Sequence, residues 1–290
     1  SPIIRTYFNG EKNTGELGPV LKYIADHNAL GQRAWQLYLD SEEVFLVTKQ
    51  SEKWVLGTGL KLQSEPRVSV LKANKITLDD NALEEFTHTV ESLWKAYANK
   101  TTKSDYASRV PLNKIARRAL RNAKLRGDVL VVLRVEKDYR VTVQLIDGQH
   151  VSTPPGLQIA GAKDKLADNF IGYDYLYSNG NRVRFGVEID DTGKHIAYHV
   201  RKSVNMDYER IQARDSQGSL RAYMVYGSEY RLDNTRGIPE ITASMESVKQ
   251  LADYTQATVG SAAEMAKITY FIEHELNAIG DDPRERMAAK

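Results

Sequence analysis

Three aspartates are the strongest candidates for catalytic chemistry in this 290-residue chain. Asp147 precedes a glycine, and Asp190 and Asp191 stand close before Gly193. Carboxylates that meet in one cleft could hold Mg²⁺, and they would then support a metal-dependent nucleic-acid-processing enzyme. However, aspartate beside glycine is typical of a turn. The enzyme is therefore kept only as an alternative, and we expect no catalytic residue, no cofactor and no bound metal.

The established catalytic motifs are missing from the sequence. It contains no His-Glu-x-x-His, Walker A or Gly-x-Ser-x-Gly pattern. It has no cysteine, which excludes disulfides, thiolate metal sites and cysteine nucleophiles. The net charge of +2 at pH 7 is small for a dedicated nucleic-acid binder. We expect any contact with DNA to be weak, and the lack of a long apolar run predicts no membrane span.

A run of basic residues follows one face of a helix predicted over 109–126. The apolar positions of this helix recur at spacings of three and four, and Gly127 ends it. Like charges repel, so the basic face is either solvated or lies against acidic protein groups or a phosphate backbone. Its cations are Arg109, Lys114, Arg117, Arg118, Arg121, Lys124 and Arg126. We take Arg117, Arg118, Arg121 and Lys124 as candidate interface residues.

The pattern over 240–279 predicts one continuous helix of unusual length. Apolar residues recur there at helical spacing without a proline, and such a helix would be about 60 Å long. Its small residues are candidates for close packing against an equally long neighbour: Ala252, Gly260, Ala262, Ala263 and Ala266. Lys249 and Lys267 are separated by five helical turns and therefore share one side.

The remaining segments predict an α+β fold. N-terminal helices over 15–40, 83–98 and 109–126 precede an antiparallel β-rich part over 128–235. Alternation over Val183–Ile189 predicts one strand. The segment 44–62 is consistent with a strand pair or with a helix that breaks into a strand.

Four segments, taken in order, resemble the lambda-like portal family of tailed bacteriophages. Lys53–Gln63 resembles the strand V-x-G-x-G-L-x-L that follows the N-terminal helix of that family, and Leu125–Val131 resembles its helix-Gly-acid-strand step. Phe185–Val200 resembles the hairpin GIE-x-D…G…AYH, and Arg236–Pro239 resembles the RG-x-P motif before the stem helix. The chain departs from the family in having Asp40-Ser41 where an Arg-Asn pair is frequent. It also ends just past the first stem helix, which indicates a fragment or a shortened relative.

The resemblance implies a structural subunit of a phage or prophage portal ring, typically a homododecamer, at the head–tail vertex of the virion. Such a ring forms the channel for DNA packaging and ejection, and a docked terminase hydrolyses the ATP. The implied partners are further copies of the chain, double-stranded DNA in transient contact, the terminase large subunit, a major capsid or scaffold protein, and a head–tail adaptor. Assembly would take place in the host cytoplasm without a membrane partner.

The same resemblance implies a domain organisation. Residues 1–239 would form the wing, 240–279 the stem helix, and 280–290 the start of the clip or a truncated end. Lys249 and Lys267 would then be candidates to face DNA in the channel that the stem helix lines, with simple solvation as the alternative. A non-portal oligomeric head–tail adaptor with the same long helix is the second alternative.

Overall fold

The computed structural model describes residues 27–77, 79–159, 174–202, 207–229 and 234–267. The chain divides into two units, Ser1–Met245 and Glu246–Lys290. The α-helices are α1 (His27–Asp40), α2 (Glu42–Leu56), α3 (Val68–Ala73), α4 (Asp80–Asn99), α5 (Thr101–Ser104), α6 (Leu112–Arg126) and α7 (Met245–Lys267). The strands are β1 (Asp128–Val135), β2 (Val141–Asp147), β3 (Gln158–Ile159), β4 (Asp174–Leu176), β5 (Arg182–Arg184), β6 (Val187–Ile189), β7 (His195–Arg201), β8 (Tyr208–Gln212) and β9 (Ala222–Tyr226). The predicted α+β class and the long C-terminal helix are confirmed.

Two antiparallel sheets form the core of the first unit. One has the strand order β2-β1-β9, and the other is a meander in the order β3 to β8. Their facing side chains form one buried apolar cluster: Leu130, Val132, Val151, Val187, Ile189, Tyr198, Val200, Ile211, Ala213, Ala222 and Met224. The alternate residues Val129 and Val131 of β1 are also buried. Because successive side chains point to opposite faces, β1 is covered on both sides.

Helix α6 leads directly into this central strand. Gly127 ends the helix with a φ of 98° and donates its N–H to the Ala123 carbonyl at 2.9 Å. The helix begins at Leu112 rather than at the expected Arg109. The reason is that the Asp105 carboxylate accepts the backbone N–H groups of Arg109 and Val110, at 2.8 and 3.0 Å, and this holds them in a turn before Pro111.

The strand implied for residues 54–62 is wrong. Helix α2 continues through this region to Leu56 and ends at Gly57, whose φ is 48°. Its start is capped by Ser41, whose hydroxyl accepts the N–H of Val44 at 3.4 Å. Residues 57–67 after the helix form neither helix nor strand.

The single strand predicted over Val183–Ile189 is also wrong, because the chain reverses in its middle. Phe185 and Gly186 have φ angles of 49° and 83°, and Arg184 then pairs with Val187 across an antiparallel register. Alternation of apolar residues persists through this tight turn, so the pattern alone does not reveal it. Turns at Asn179-Gly180 and at Asp190–Gly193 lie between β4 and β5 and between β6 and β7.

The long C-terminal helix does not begin as α-helix. Residues Glu240–Ser244 form a 3-10 helix, in which Thr242 donates both its N–H and its hydroxyl to the Pro239 carbonyl, at 3.1 and 2.6 Å. Helix α7 then runs for 23 residues, or about 35 Å. Its expected continuation to Ile279 lies outside the described residues. No described helix combines the length and the apolar character that a membrane crossing requires.

Candidate functional site

The segments Gly127-Asp128 and Arg236-Gly237, which belong to two of the quoted motifs, meet at one buried junction. Arg236 and Asp128 are 5% and 2% exposed. The guanidinium donates Nε–H to Asp128 Oδ2 at 2.6 Å and Nη2–H to Oδ1 at 3.0 Å. This is the bidentate geometry in which arginine and a carboxylate interact most strongly.

The remaining N–H groups of Arg236 reach three backbone carbonyls. Nη1 donates to Val151 at 2.9 Å and to Phe185 at 3.1 Å, and Nη2 donates to Gly148 at 2.7 Å. All five donors of the guanidinium are therefore used. Burial disfavours the charge of Arg236, but attraction to Asp128 outweighs it and raises the pKa of the guanidinium. Arg236 thus joins β1 to the loops that follow β2 and β5.

Glycine is required where the two segments touch. A Cβ on Gly237 would overlap the Gly127 carbonyl oxygen, and one on Gly127 would lie 2.7 Å from the Gly237 oxygen. The N–H of Gly237 also donates to Asp128 at 3.1 Å. The junction is therefore a rigid base for the chain immediately before the 3-10 helix. Sequence reasoning treated its two halves as separate motifs and missed the contact, although an Arg-Gly and a Gly-Asp pair were the available signal.

The basic face of α6 meets acidic and polar groups of its own chain. Arg121 forms a bidentate ion pair with the buried Glu52 of α2, and hydrogen bonding to Glu52 raises the pKa of Arg121. Lys124 pairs with Glu240 at 2.9 Å and also contacts Ser51. These contacts fix α2 and the 3-10 helix on α6.

The other two candidates on α6 have more exposed side chains. Arg117 donates to the Gly57 carbonyl at 2.9 Å. Arg118 is exposed, and it makes no ion pair with the described part of the chain. Of the four candidate interface residues, these two are therefore the ones that an external partner could reach.

The candidate residues of α7 lie on a helix without a single buried side chain among its described residues. Lys249 and Lys267 are exposed on the same side, and Lys267 pairs with Glu264 at 2.8 Å. All five charged residues of α7 fall within an arc of about 60° at 100° per residue. That arc contains three acids and two lysines, so the charge on this side is mixed.

The other side of α7 is apolar and uncovered. Leu251, Tyr254, Val259 and Met265 are all more than half exposed. Of the small-residue candidates, Ala262 and Ala266 lie on this apolar side, whereas Ala252 and Ala263 lie between it and the charged arc. Gly260 instead lies within the charged arc, with open space around it. An apolar side of this extent is typical of a helix that packs against another protein surface.

The aspartates of the alternative enzyme are engaged in turns. The Asp147 carboxylate accepts the N–H of Gln149 at 3.0 Å, and Asp190 accepts the N–H groups of Thr192 and Lys194, both at 2.9 Å. Within the described ranges, no group of three histidine, aspartate or glutamate side chains is placed to hold a metal ion. Asp191 is almost fully exposed and lies 3.9 Å from Arg182.

A buried glutamate, which the sequence reasoning did not single out, organises the second sheet. Glu188 accepts two bonds from Arg210, at 2.7 and 2.9 Å, and one each from Asn179 and Asn181 at 2.7 Å. Burial raises the pKa of Glu188, but the bonds from Arg210 and the two asparagines outweigh it and lower the pKa to about 2. The side chain therefore fixes the β4–β5 turn on the strands β6 and β8.

The chain matches the family described as phage portal protein, lambda family, over residues 13–289. It is also similar to a probable portal protein of Halomonas phage phiHAP-1, with 31% identity over 107 residues. That match covers 34% of this chain and 19% of the relative, so the chain spans only a small part of that relative's length. Because the family match covers nearly all of the chain, the protein belongs to the lambda family of phage portal proteins.

Proposed function

We propose that this chain is a structural subunit of a portal ring that forms the channel for DNA packaging and ejection. The observation that carries the proposal is α7, a 23-residue helix with no buried residue and one apolar side. Such a helix is stable in water mainly when its apolar side packs against a partner. Copies of α7 arranged side by side around an axis would provide that packing. The ring would contain twelve copies.

The domain organisation follows from the same proposal. Residues 1–239 form the wing, 240–279 the stem and 280–290 the start of the clip or a truncated end. Close packing between stems would use Ala252, Ala262, Ala263 and Ala266, since small side chains allow helix axes to approach. Gly260 would allow a close approach on the charged side.

The charged side of α7 is the candidate channel lining. Lys249 and Lys267 would form two positive levels along the channel, diluted by the acids beside them. A conduit benefits from this dilution, because each neutralised phosphate adds to the affinity that moving DNA must overcome. Arg117 and Arg118 of α6 remain candidates for contact with a neighbouring subunit or with DNA.

The subunit would act without catalysis of its own. The terminase large subunit would dock on the ring and hydrolyse ATP, while a major capsid or scaffold protein and a head–tail adaptor would bind other surfaces. The proposed location is the head–tail vertex of the virion, after assembly in the host cytoplasm. The support for a structural role is the family membership together with the turn contacts of Asp147 and Asp190.

The proposal is tested by reversing the charge of both channel candidates. A phage carrying Lys249→Glu and Lys267→Glu is expected to assemble rings of normal mass and to package less DNA, measured as protected genome copies per particle. The matched control reverses two exposed turn lysines, Lys137→Glu and Lys194→Glu, which changes the net charge equally. Normal packaging by the α7 variant, or the same defect in the control, would contradict the channel assignment.

A further inference from the structure

Helix α2 exposes several large apolar residues although it buries polar ones. Its buried residues are Val44, Thr48 and Glu52. The residues on its outer side include Leu46, Val47 and Trp54, and the last two are 68% and 77% exposed. Large apolar groups gathered on one exposed helix side mark an interaction surface rather than a solvated one.

The inward orientation of the polar side is fixed by specific contacts. Glu52 receives the bidentate Arg121, and Ser51 receives Lys124. Rotating the helix to hide Trp54 would leave Arg121 without its carboxylate, which is costly for a partly buried charge. The outer side of α2 is therefore available to a partner.

A second uncovered apolar stripe lies on α4. Phe86, Val90 and Leu93 share one side of this 20-residue helix, yet Ala98 is the only buried residue of the helix. Leu93 is 66% exposed. The first unit therefore carries two separate helix sides whose apolar residues its described part does not cover.

The charge along each of the two stripes changes sign from one end of its helix to the other. In α2 the exposed acids Glu42 and Glu43 lie in the first turn, and the exposed Lys53 lies near the end, next to Trp54. In α4 the exposed acids of the first turns, which include Glu84 and Glu85, are likewise followed by the exposed Lys95. Antiparallel packing of the two stripes would place acids opposite lysines at both ends, which favours a defined orientation.

We propose that the outer side of α2 in one copy packs against the apolar stripe of α4 in the next copy. The contact joins two different surfaces, so it is heterologous and repeats from copy to copy until a ring closes. Trp54 would be its anchor, since buried tryptophans dominate the energy of many interfaces. The inference rests on the proposed ring and deepens it by naming the surfaces that join its subunits.

Cross-linking tests the contact directly, because the chain contains no native cysteine. The 290-residue chain carrying both Val47→Cys and Leu93→Cys is treated with a short bis-maleimide and separated under denaturing conditions. A heterologous contact predicts a ladder of dimers, trimers and larger species from the double variant, whereas each single variant stays monomeric.

If the outer side of α2 packs against something other than α4 of the next copy, cross-linking gives different products, and each of them would overturn the proposal. Dimers from Val47→Cys alone would indicate that α2 packs on its own copy. A compact monomer linked within one chain would indicate that α2 and α4 meet in the same subunit. A monomeric Val47→Cys variant whose new thiol resists maleimide would indicate that another segment of the same chain covers α2.

Charge exchange provides a second readout that does not depend on cross-linker geometry. Lys53→Glu and Glu85→Lys are each expected to reduce self-association about tenfold, and their combination should restore it. Lys137→Glu, an exposed change in the β1–β2 turn, is the matched control and should have no effect. Equal loss in both single variants without rescue in the double variant would contradict the pairing.

The mass of the untreated protein separates this inference from the proposed function. A closed ring without the α2–α4 ladder would refute the named surfaces and leave the ring intact. A chain that stays monomeric at all concentrations would contradict the ring and the surfaces together.

Discussion

Replacing Arg236 by methionine removes the centre of the buried junction and gives the sharpest test of its role. In the Arg236→Met variant, the Asp128 carboxylate loses the guanidinium and keeps the hydrogen bond from the Gly237 N–H, at 3.1 Å. The substitution also removes the donors to the carbonyls of Gly148, Val151 and Phe185. Methionine fills much of the same volume, so the loss is mainly electrostatic.

The expected cost is large because breaking one side of a buried ion pair strands the other charge. The free energy of unfolding should fall by about 3–5 kcal/mol. For a unit of this size, that corresponds to a decrease in Tm of about 6–20 °C. Urea unfolding followed by tryptophan fluorescence and calorimetry would measure both quantities.

A double-mutant cycle with Asp128→Asn separates the interaction energy of Arg236 and Asp128 from a general destabilisation of the fold. If the two side chains act on each other, the double variant should lose less stability than the sum of the single losses, by at least about 1 kcal/mol. Arg214→Met is the matched control, since Arg214 is exposed and donates to Gly218; it should change stability by no more than about 0.5 kcal/mol. A loss below about 1 kcal/mol for Arg236→Met would refute the reasoning.

Three further outcomes are expected. The pKa of Glu188 in the folded protein is about 2, below its ordinary value. Its contribution to the free energy of unfolding is therefore present above pH 4.5 and is lost as the pH falls towards 2. Between pH 5 and pH 2, the free energy of unfolding measured in urea melts should fall by about 3 kcal/mol more for the wild type than for Glu188→Gln. Gly237→Ala should destabilise by about 2 kcal/mol because its Cβ meets the Gly127 oxygen, whereas Gly260→Ala, in open space, should stabilise α7 by about 0.5–1 kcal/mol in thermal melts followed by circular dichroism. Trp54→Ala should weaken self-association about thirtyfold in sedimentation experiments while the unfolding of the monomer changes little.

Features set by local patterns were predictable from the sequence. The α+β class and the long C-terminal helix follow from apolar periodicity, and Gly127 ends α6 because only glycine readily adopts its φ of 98°. The 3-10 start of the C-terminal helix was not predictable, because it depends on the bonds from Thr242 to Pro239.

Features set by contacts between distant segments were not predictable. Arg236 and Asp128 are 108 positions apart, and no periodicity links them. Helix α2 was only one of two alternatives for its segment, because two of its three buried residues, Thr48 and Glu52, are polar and the apolar periodicity does not follow its buried side. The sequence also did not reveal the partners of the basic face on α6, because Glu52 and Glu240 lie far from this helix in the chain.

The central claim is that copies of α7 stand side by side around a common hole. Electron cryomicroscopy of the assembled protein tests it most directly. The expected result is a closed ring in which Met245–Lys267 of every subunit borders the central channel, with the charged arc of α7 turned towards it. A ring whose hole is lined by other elements, or subunits in which α7 packs back on the sheets of its own chain, would contradict the account.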